Sequence, residues 1–285
     1  MNAAAGRFAP LYTGAVIARR RAFVMGIVNL TPDSFFDGGR LPDPEAARDH
    51  ALALAADGAD ILDLGAESSR PGAAPVTPEA EMARLIPVLD LLRDCPVPLS
   101  VDTYHAATAR AALDRGAAMI NDISALRFDP EMAAVVADRG CPCVLMHMRG
   151  EPRNMQANPQ YGDVVADIGA FFEERIAAAE RAGIRREQLW LDPGFGFGKT
   201  PEHNLILLKH LGEFCRFGLP VLIGTSNKST IGHVLNVDIG DRGEGTAATV
   251  AASVLAGAHA VRVHDVRAMA RVTRMAEAIL YAGVC

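Results

Sequence analysis

Short apolar runs recur along the chain, each followed by a polar loop and then by an amphipathic segment ending near glycine. The runs 23–29, 61–65, 98–103, 119–123, 143–148, 189–193, 221–226 and 260–264 predict strands. The segments 44–57, 78–93, 106–115, 131–139, 164–182 and 201–214 predict helices between them. Thr77-Pro78-Glu79 and Thr200-Pro201-Glu202 put a capping hydroxyl just ahead of a proline suited to the first helical position. Gly58, Gly116, Gly140 and Gly183 stand where helices end and the chain turns left-handed.

Eight strands in a chain of 285 residues give about 36 residues per unit, the spacing of a (β/α)₈ barrel. An open doubly wound sheet would share this alternation, so the strand ends decide. Nearly every run finishes in polar groups: Asn29, Asp63 leading to Glu67, Asp102, Asn121 with Asp122, His147, Asp192, Ser226, and Arg262 with His264. A barrel converges all of these on one mouth, whereas an open sheet scatters them along a crevice. The expected fold is therefore α/β, a single-domain TIM barrel over residues 23–285. Residues 1–22 form an N-terminal extension, with 11–20 expected as a strand or hairpin closing one end.

Composition narrows the function. Half of the residues are hydrophobic and 22% are charged, enough for a large core. Twenty-eight basic residues against 34 acidic ones give a net charge of −6. No overall positive field exists to draw in nucleic acid or an anionic membrane, so an anionic ligand must be held by a few local cations. The uncharged stretch 245–261 consists largely of Ala, Thr, Ser and Gly, and reads as a buried helix and strand rather than a membrane span. Residues 1–32 lack Asp and Glu and carry four arginines, but not the basic-then-apolar order of a secretory signal. Cysteines 95, 141, 143, 215 and 285 are odd in number and form no C-x-x-C pair, as expected of reduced thiols in the cytoplasm.

Asp102, Asn121 and Asp192 close strands three, four and six and can face one pocket. A ligand offering an amino group beside a ring N–H would satisfy buried carboxylates there, although Asp and Asn also cap helices. Gly198-Lys199-Thr200 invites a phosphate-loop reading, but that motif requires glycine at 193, where this chain has proline. Glycines 194, 196 and 198 instead allow the backbone to approach a flat ligand, with Phe197 against it. Arg70, Lys228, Arg262 and His264 gather cations at the same rim, where barrels often bind phosphate. Arg262 and His264, two apart on a strand, are expected to point the same way. The Asn29 amide oxygen, with phosphate oxygens, would suit Mg²⁺, although an Asn before Thr31-Pro32 is commonly structural.

Met25-Gly26-Ile27-Val28-Asn29-Leu30-Thr31-Pro32-Asp33-Ser34-Phe35 resembles the first signature of the dihydropteroate synthase family. Asp63-Leu64-Gly65-Ala66-Glu67-Ser68-Ser69-Arg70-Pro71-Gly72 is similar to its second. Val101-Asp102-Thr103, Ile120-Asn121-Asp122-Ile123, Met146-His147-Met148, Asp192 to Lys199, and Arg262-Val263-His264-Asp265 match the rest in order. The resemblance implies a barrel that joins 4-aminobenzoate to 6-hydroxymethyl-7,8-dihydropterin diphosphate, releasing pyrophosphate. It implies pterin binding by Asp102, Asn121, Ile123, Met146, Asp192, Phe197, Lys228 and Arg262. Asn29, Arg262 and His264 would hold the diphosphate, Asn29 through Mg²⁺, and Phe35, Ser69, Arg70, Pro71, Phe197 and Ser226 the aminobenzoate. The implied route is dissociative, with Asp102, Asp192, Lys228, Arg262 and His264 as the catalytic set, in a homodimer formed through late helices.

Two positions depart from the family pattern. Ser226-Asn227-Lys228-Ser229 stands where Ser-Arg-Lys-Ser is usual, and Ser69 replaces threonine. A corrinoid-type pterin methyltransferase domain would share the Asp/Asn/Asp set but needs neither a diphosphate site nor the Ser69-Arg70-Pro71 loop. A non-catalytic pterin-binding paralogue is favoured only by Asn227. The loops 31–41 and 68–76, rich in Gly and Pro, are expected to close over bound substrates.

Overall fold

A computed structural model describes residues 8–31, 43–69 and 72–283. Its eight strands are β1 (Phe23–Asn29), β2 (Ile61–Gly65), β3 (Leu99–Asp102), β4 (Met119–Asp122), β5 (Cys143–Met146), β6 (Leu189–Asp192), β7 (Leu222–Ile223) and β8 (Ala260–Val263). All pair in parallel in the order β6-β5-β4-β3-β2-β1-β8-β7. A parallel bridge between Leu191 and Val221, with Leu191 N–H donating to Pro220 O at 2.8 Å, joins β6 to β7 and closes the ring. The expected barrel is present, and its strands begin within a residue of the apolar runs.

The helices start where the chemistry of the caps places them. Thr77 and Thr200 accept from the backbone N–H groups of Ala80 and His203, and Asp163 accepts from Val165 and Ala166. Gly140 ends the helix Met132–Arg139 at φ 65°, a left-handed position that costs glycine little. The helix expected over 201–214 divides into an α-helix, Pro201–Lys209, and a 3₁₀ segment, Leu211–Phe217. The period of three puts Leu211, Phe214 and Phe217 on one side, toward the core, with Phe214 and Phe217 edge-on to Phe172.

The N-terminal segment differs from expectation. It forms neither strand nor hairpin but a 3₁₀ turn, Ala9–Leu11, and a short helix, Thr13–Ala18. In a closed barrel every strand already has two neighbours, so no free edge remains to accept another. The segment satisfies its backbone within itself and lies under the N-terminal ends of the strands. Trp190 Nε1 donates to Leu11 O at 2.8 Å, and Arg19 pairs with Asp60. Leu11 and Val16 are fully buried, each contributing roughly 1.5–3 kcal/mol of apolar burial.

This architecture leaves the C-terminal strand ends as the functional face. β7 contributes only two residues to the ladder, because Gly224, Thr225 and Ser226 leave it for a turn in which Lys228 N–H reaches Thr225 O. Function is therefore carried by what stands on that rim.

Candidate active site

Five strands bring their terminal side chains to one mouth. Arg262 on β8 donates from Nη2 to Asp102 Oδ2 on β3 at 2.9 Å, and from Nε to Asp63 Oδ2 on β2 at 2.6 Å. The same Asp63 oxygen accepts from Asn121 Nδ2 on β4 at 3.0 Å. Asp192 on β6 accepts at Oδ1 from Gly194 N–H at 2.7 Å. Lys228, beyond β7, holds its ammonium 4.2 Å from the centre of the Phe197 ring, a cation–π contact. Asp102, Asn121, Asp192, Lys228 and Arg262, expected together from sequence, are together.

Asp63 was assigned no role from sequence. It is wholly buried and holds both Arg262 and Asn121 in place, the pair that shapes the floor of the mouth. A carboxylate amid the apolar Ile61, Leu62 and Leu64 was the signal, since a buried charge must have a partner. Among the described residues, Asn121 Oδ1 is buried without a hydrogen-bond partner. A buried acceptor of this kind calls for a donor from a ligand or water.

The electrostatics follow from burial. Burial pushes Asp102 up to about 7 against the pull of Arg262, with Asp63 adding repulsion. Asp192 rises to about 6 for the same reason, opposed by the Gly194 N–H and by Lys228 and Lys199. Lys228 is pushed down to about 8 by burial and by Arg262. Ligand donors aimed at the two carboxylates would restore their ionised forms.

Ile123, Met146 and Phe197 form an apolar cluster with Met148 and Met155, separate from the main core, and Tyr104 and Phe128 pack against it. This cluster is an apolar wall beside the polar set. Ser69 lines a small cleft with Asp102, Tyr104 and Ile123, so the residue expected at the aminobenzoate side borders the pterin set. Asn29 is half-buried at the end of β1, in register with Gly65. Phe35, Arg70 and Pro71 lie outside the described residues, as does most of the expected loop 31–41.

Arg262 and His264 take different partners at the rim. β8 ends at Val263, so His264 stands just past the ladder. Arg262 crosses the mouth to Asp63 and Asp102, while His264 Nδ1 lies 2.9 Å from Ser226 Oγ beyond β7. Ser226 and His264, expected to serve different substrates, are thus hydrogen-bonded neighbours.

A second cluster was also unassigned. Glu67 accepts from Tyr104 Oη at 2.5 Å and from Val76 N–H at 3.1 Å, and its other oxygen lies 3.3 Å from His105 Nε2. It ties the far end of the 68–76 loop to the segment after β3.

The rim thus combines paired carboxylates, an amide, two cations and an apolar wall at the C-terminal face of a (β/α)₈ barrel. Such a rim can take a flat ligand that offers hydrogen-bond donors to the carboxylates. The family model for pterin binding enzymes matches residues 25–264, and the chain belongs to this family. The dihydropteroate synthase of Synechocystis sp. is 45% identical over 262 residues, with 91% of each chain covered. Two solved structures of Xanthomonas albilineans dihydropteroate synthase match with TM-scores of 0.86 and 0.82, at 46% and 44% identity. The matches cover 93% of this chain and 94% and 95% of theirs; one structure holds 4-aminobenzoic acid and the other 7,8-dihydropteroate.

Proposed function

We propose that the protein catalyses the dihydropteroate synthase reaction, condensing 6-hydroxymethyl-7,8-dihydropterin diphosphate with 4-aminobenzoate for folate synthesis. The observation that carries this reading is the convergence of Asp63, Asp102, Asn121, Asp192, Lys228 and Arg262 on one barrel mouth. Asp192 and Asn121 would accept from the pterin amino and ring N–H groups, with the ring against Phe197 and Met146. Arg262 and Lys228 lie where a pterin face and its diphosphate arm would meet positive charge. Ser69 and Ser226, with Phe35, Arg70 and Pro71, would shape the aminobenzoate side.

In the reaction the pterin methylene C–O bond breaks and its electron pair leaves with the diphosphate. The resulting methylene cation is stabilised by the anionic Asp102 and Asp192. The aminobenzoate nitrogen then attacks, forms the C–N bond and loses a proton to solvent. Arg262 and His264 would offset charge on the departing diphosphate. The donor set fits Mg²⁺. Asn29 offers a hard amide oxygen at the end of β1. Such a cation would complete its shell with phosphate oxygens and water, and supply charge neutralisation on the leaving group.

A homodimer belongs to the same reading. The helix Val266–Leu280 leaves Met275, Ile279 and Leu280 exposed, and Leu255 on the helix Gly243–Leu255 packed beside it is exposed too. A second copy covering this surface would be detected as twice the chain mass by light scattering. A cytoplasmic location accords with Cys95, Cys141, Cys143 and Cys215, none of which is in a disulfide among the described residues. Among the described residues no helix is long and apolar enough to cross a membrane.

The decisive assay is pyrophosphate release with both substrates. Release that depends on 4-aminobenzoate supports the proposal. Pterin binding without release would leave a binding protein instead.

A further inference from the structure

The Gly198-Lys199-Thr200 sequence does not form a phosphate loop, yet its lysine is among the most enclosed charges in the molecule. Lys199 is 2% exposed. Its ammonium donates to Gly194 O at 2.9 Å, to Phe197 O at 3.0 Å and to His147 Nδ1 at 3.0 Å. All three ammonium protons are thereby used within the protein. Burial holds His147 well below the usual histidine range, so its ring is neutral and Nδ1 is free to accept. The ring proton then sits on Nε2.

The two carbonyls belong to the turn that carries the pterin-facing groups. Gly194 N–H donates to Asp192 Oδ1, and the Phe197 ring lies under the Lys228 ammonium. Gly194 sits at φ 69° with its Cα so near β5 that an added Cβ would stand 1.9 Å from His147 O. His147 N–H donates to Asp192 O at 2.8 Å, so β5, β6 and the turn are fastened around the same point.

We propose that Lys199 is a positioning residue for the pterin side of the site: through Gly194 O, Phe197 O and His147 it sets the orientation of Asp192 and Phe197. The proposal rests on the pterin-binding reading given above. It acts through geometry, because holding Gly194 O restrains the residue whose N–H, in the preceding peptide unit, orients the Asp192 carboxylate. Burial pushes Lys199 down to about 7 against the pull of Asp192, and in its charged form Lys199, like Lys228 and Arg262, favours ionised Asp192. The other charges facing the pair come from Arg127 and Arg149, which bear on His147.

The test compares wild type with Lys199→Met, which keeps the unbranched stem and loses the donors. Calorimetry with a dihydropterin should show affinity weakened by about tenfold or more, clearly more than the rise in KM for 4-aminobenzoate, which Phe197 alone would transmit. Nitrogen-15 histidine spectra should show His147 Nδ1 as a hydrogen-bonded acceptor in wild type and not in the variant. Equal weakening for both substrates, or unchanged pterin affinity, would overturn the proposal. If Lys199→Met does not fold, His147→Leu and His147→Asn test the same bond, since the Asn oxygen can stand in for Nδ1. The Leu variant should lose pterin affinity and the Asn variant recover most of it; equal losses would overturn the proposal. Wild type failing to bind a dihydropterin would refute the functional reading, which separates that failure from this one.

Discussion

Arg262 and Asp102, 160 residues apart in the chain, meet at 2.9 Å across the barrel mouth, with Asp63 holding the other side of the same guanidinium at 2.6 Å. One cation thus bridges β2, β3 and β8. A guanidinium shared in this way has its plane fixed before any ligand arrives, which suits it to lie against a flat ring. The arrangement also makes several substitutions predictable.

Asp63→Ala should be costly although Asp63 is wholly buried beneath the mouth. It removes the acceptor shared by Arg262 and Asn121 and leaves both donors short of a partner. Breaking such a buried pair costs about 3–5 kcal/mol. Urea unfolding should show the loss, and pterin affinity should fall with it; a variant as stable as wild type would remove Asp63 from the network.

Asp192→Asn should impair pterin binding more than folding. A carboxylate can accept from two ring donors, whereas an amide offers one oxygen and a mismatched NH₂ group. Each charge-assisted bond is worth roughly 1.5–3 kcal/mol. Calorimetry with a dihydropterin reads the change directly, and unchanged affinity would clear Asp192 of the role.

Pterin affinity should decline on the acid side. In the free protein Asp102 titrates at about 7 and Asp192 at about 6, both raised by burial. Binding uses the ionised forms, so protons must leave on binding, and lowering the pH opposes it. Affinity should be full only above about pH 8 and fall as the pH drops through 7 and then 6, by up to about tenfold per unit for each carboxylate. Calorimetry at pH 6 in buffers of different ionisation enthalpy should register proton release; uptake would contradict the assignment.

Asn227→Arg should change little. Asn227 has φ 57°, a left-handed position that Asn tolerates better than Arg. Its carbonyl already accepts from Arg242 Nη1 at 2.8 Å, so a guanidinium stands beside the place where the family usually carries one. Restoring arginine should alter kcat/KM by about tenfold or less, about 1.4 kcal/mol. A wild type that releases no pyrophosphate beside an active Asn227→Arg variant would favour the non-catalytic paralogue.

The alternation of apolar runs and capped helices, with polar residues at the run ends, was sufficient in the sequence to specify a barrel and to nominate Asp102, Asn121, Asp192 and Arg262. Those signals are local: periodicity, Thr-Pro caps and a polar residue closing an apolar run all lie within a few positions. What the sequence could not decide were partnerships between distant residues. Asp63 and Arg262 are 199 residues apart, and only closure of the ring makes one the support of the other. Lys199 reads as a loop cation until the Gly194 turn folds back over His147 and encloses it. Residues 11–20 looked capable of forming a strand, but a closed barrel has no free edge, and the floor beside Trp190 received a helix instead. Composition and pattern set which elements form and where the chemistry gathers; which charge faces which is set by the tertiary structure, because burial makes an unpaired charge too costly to leave alone.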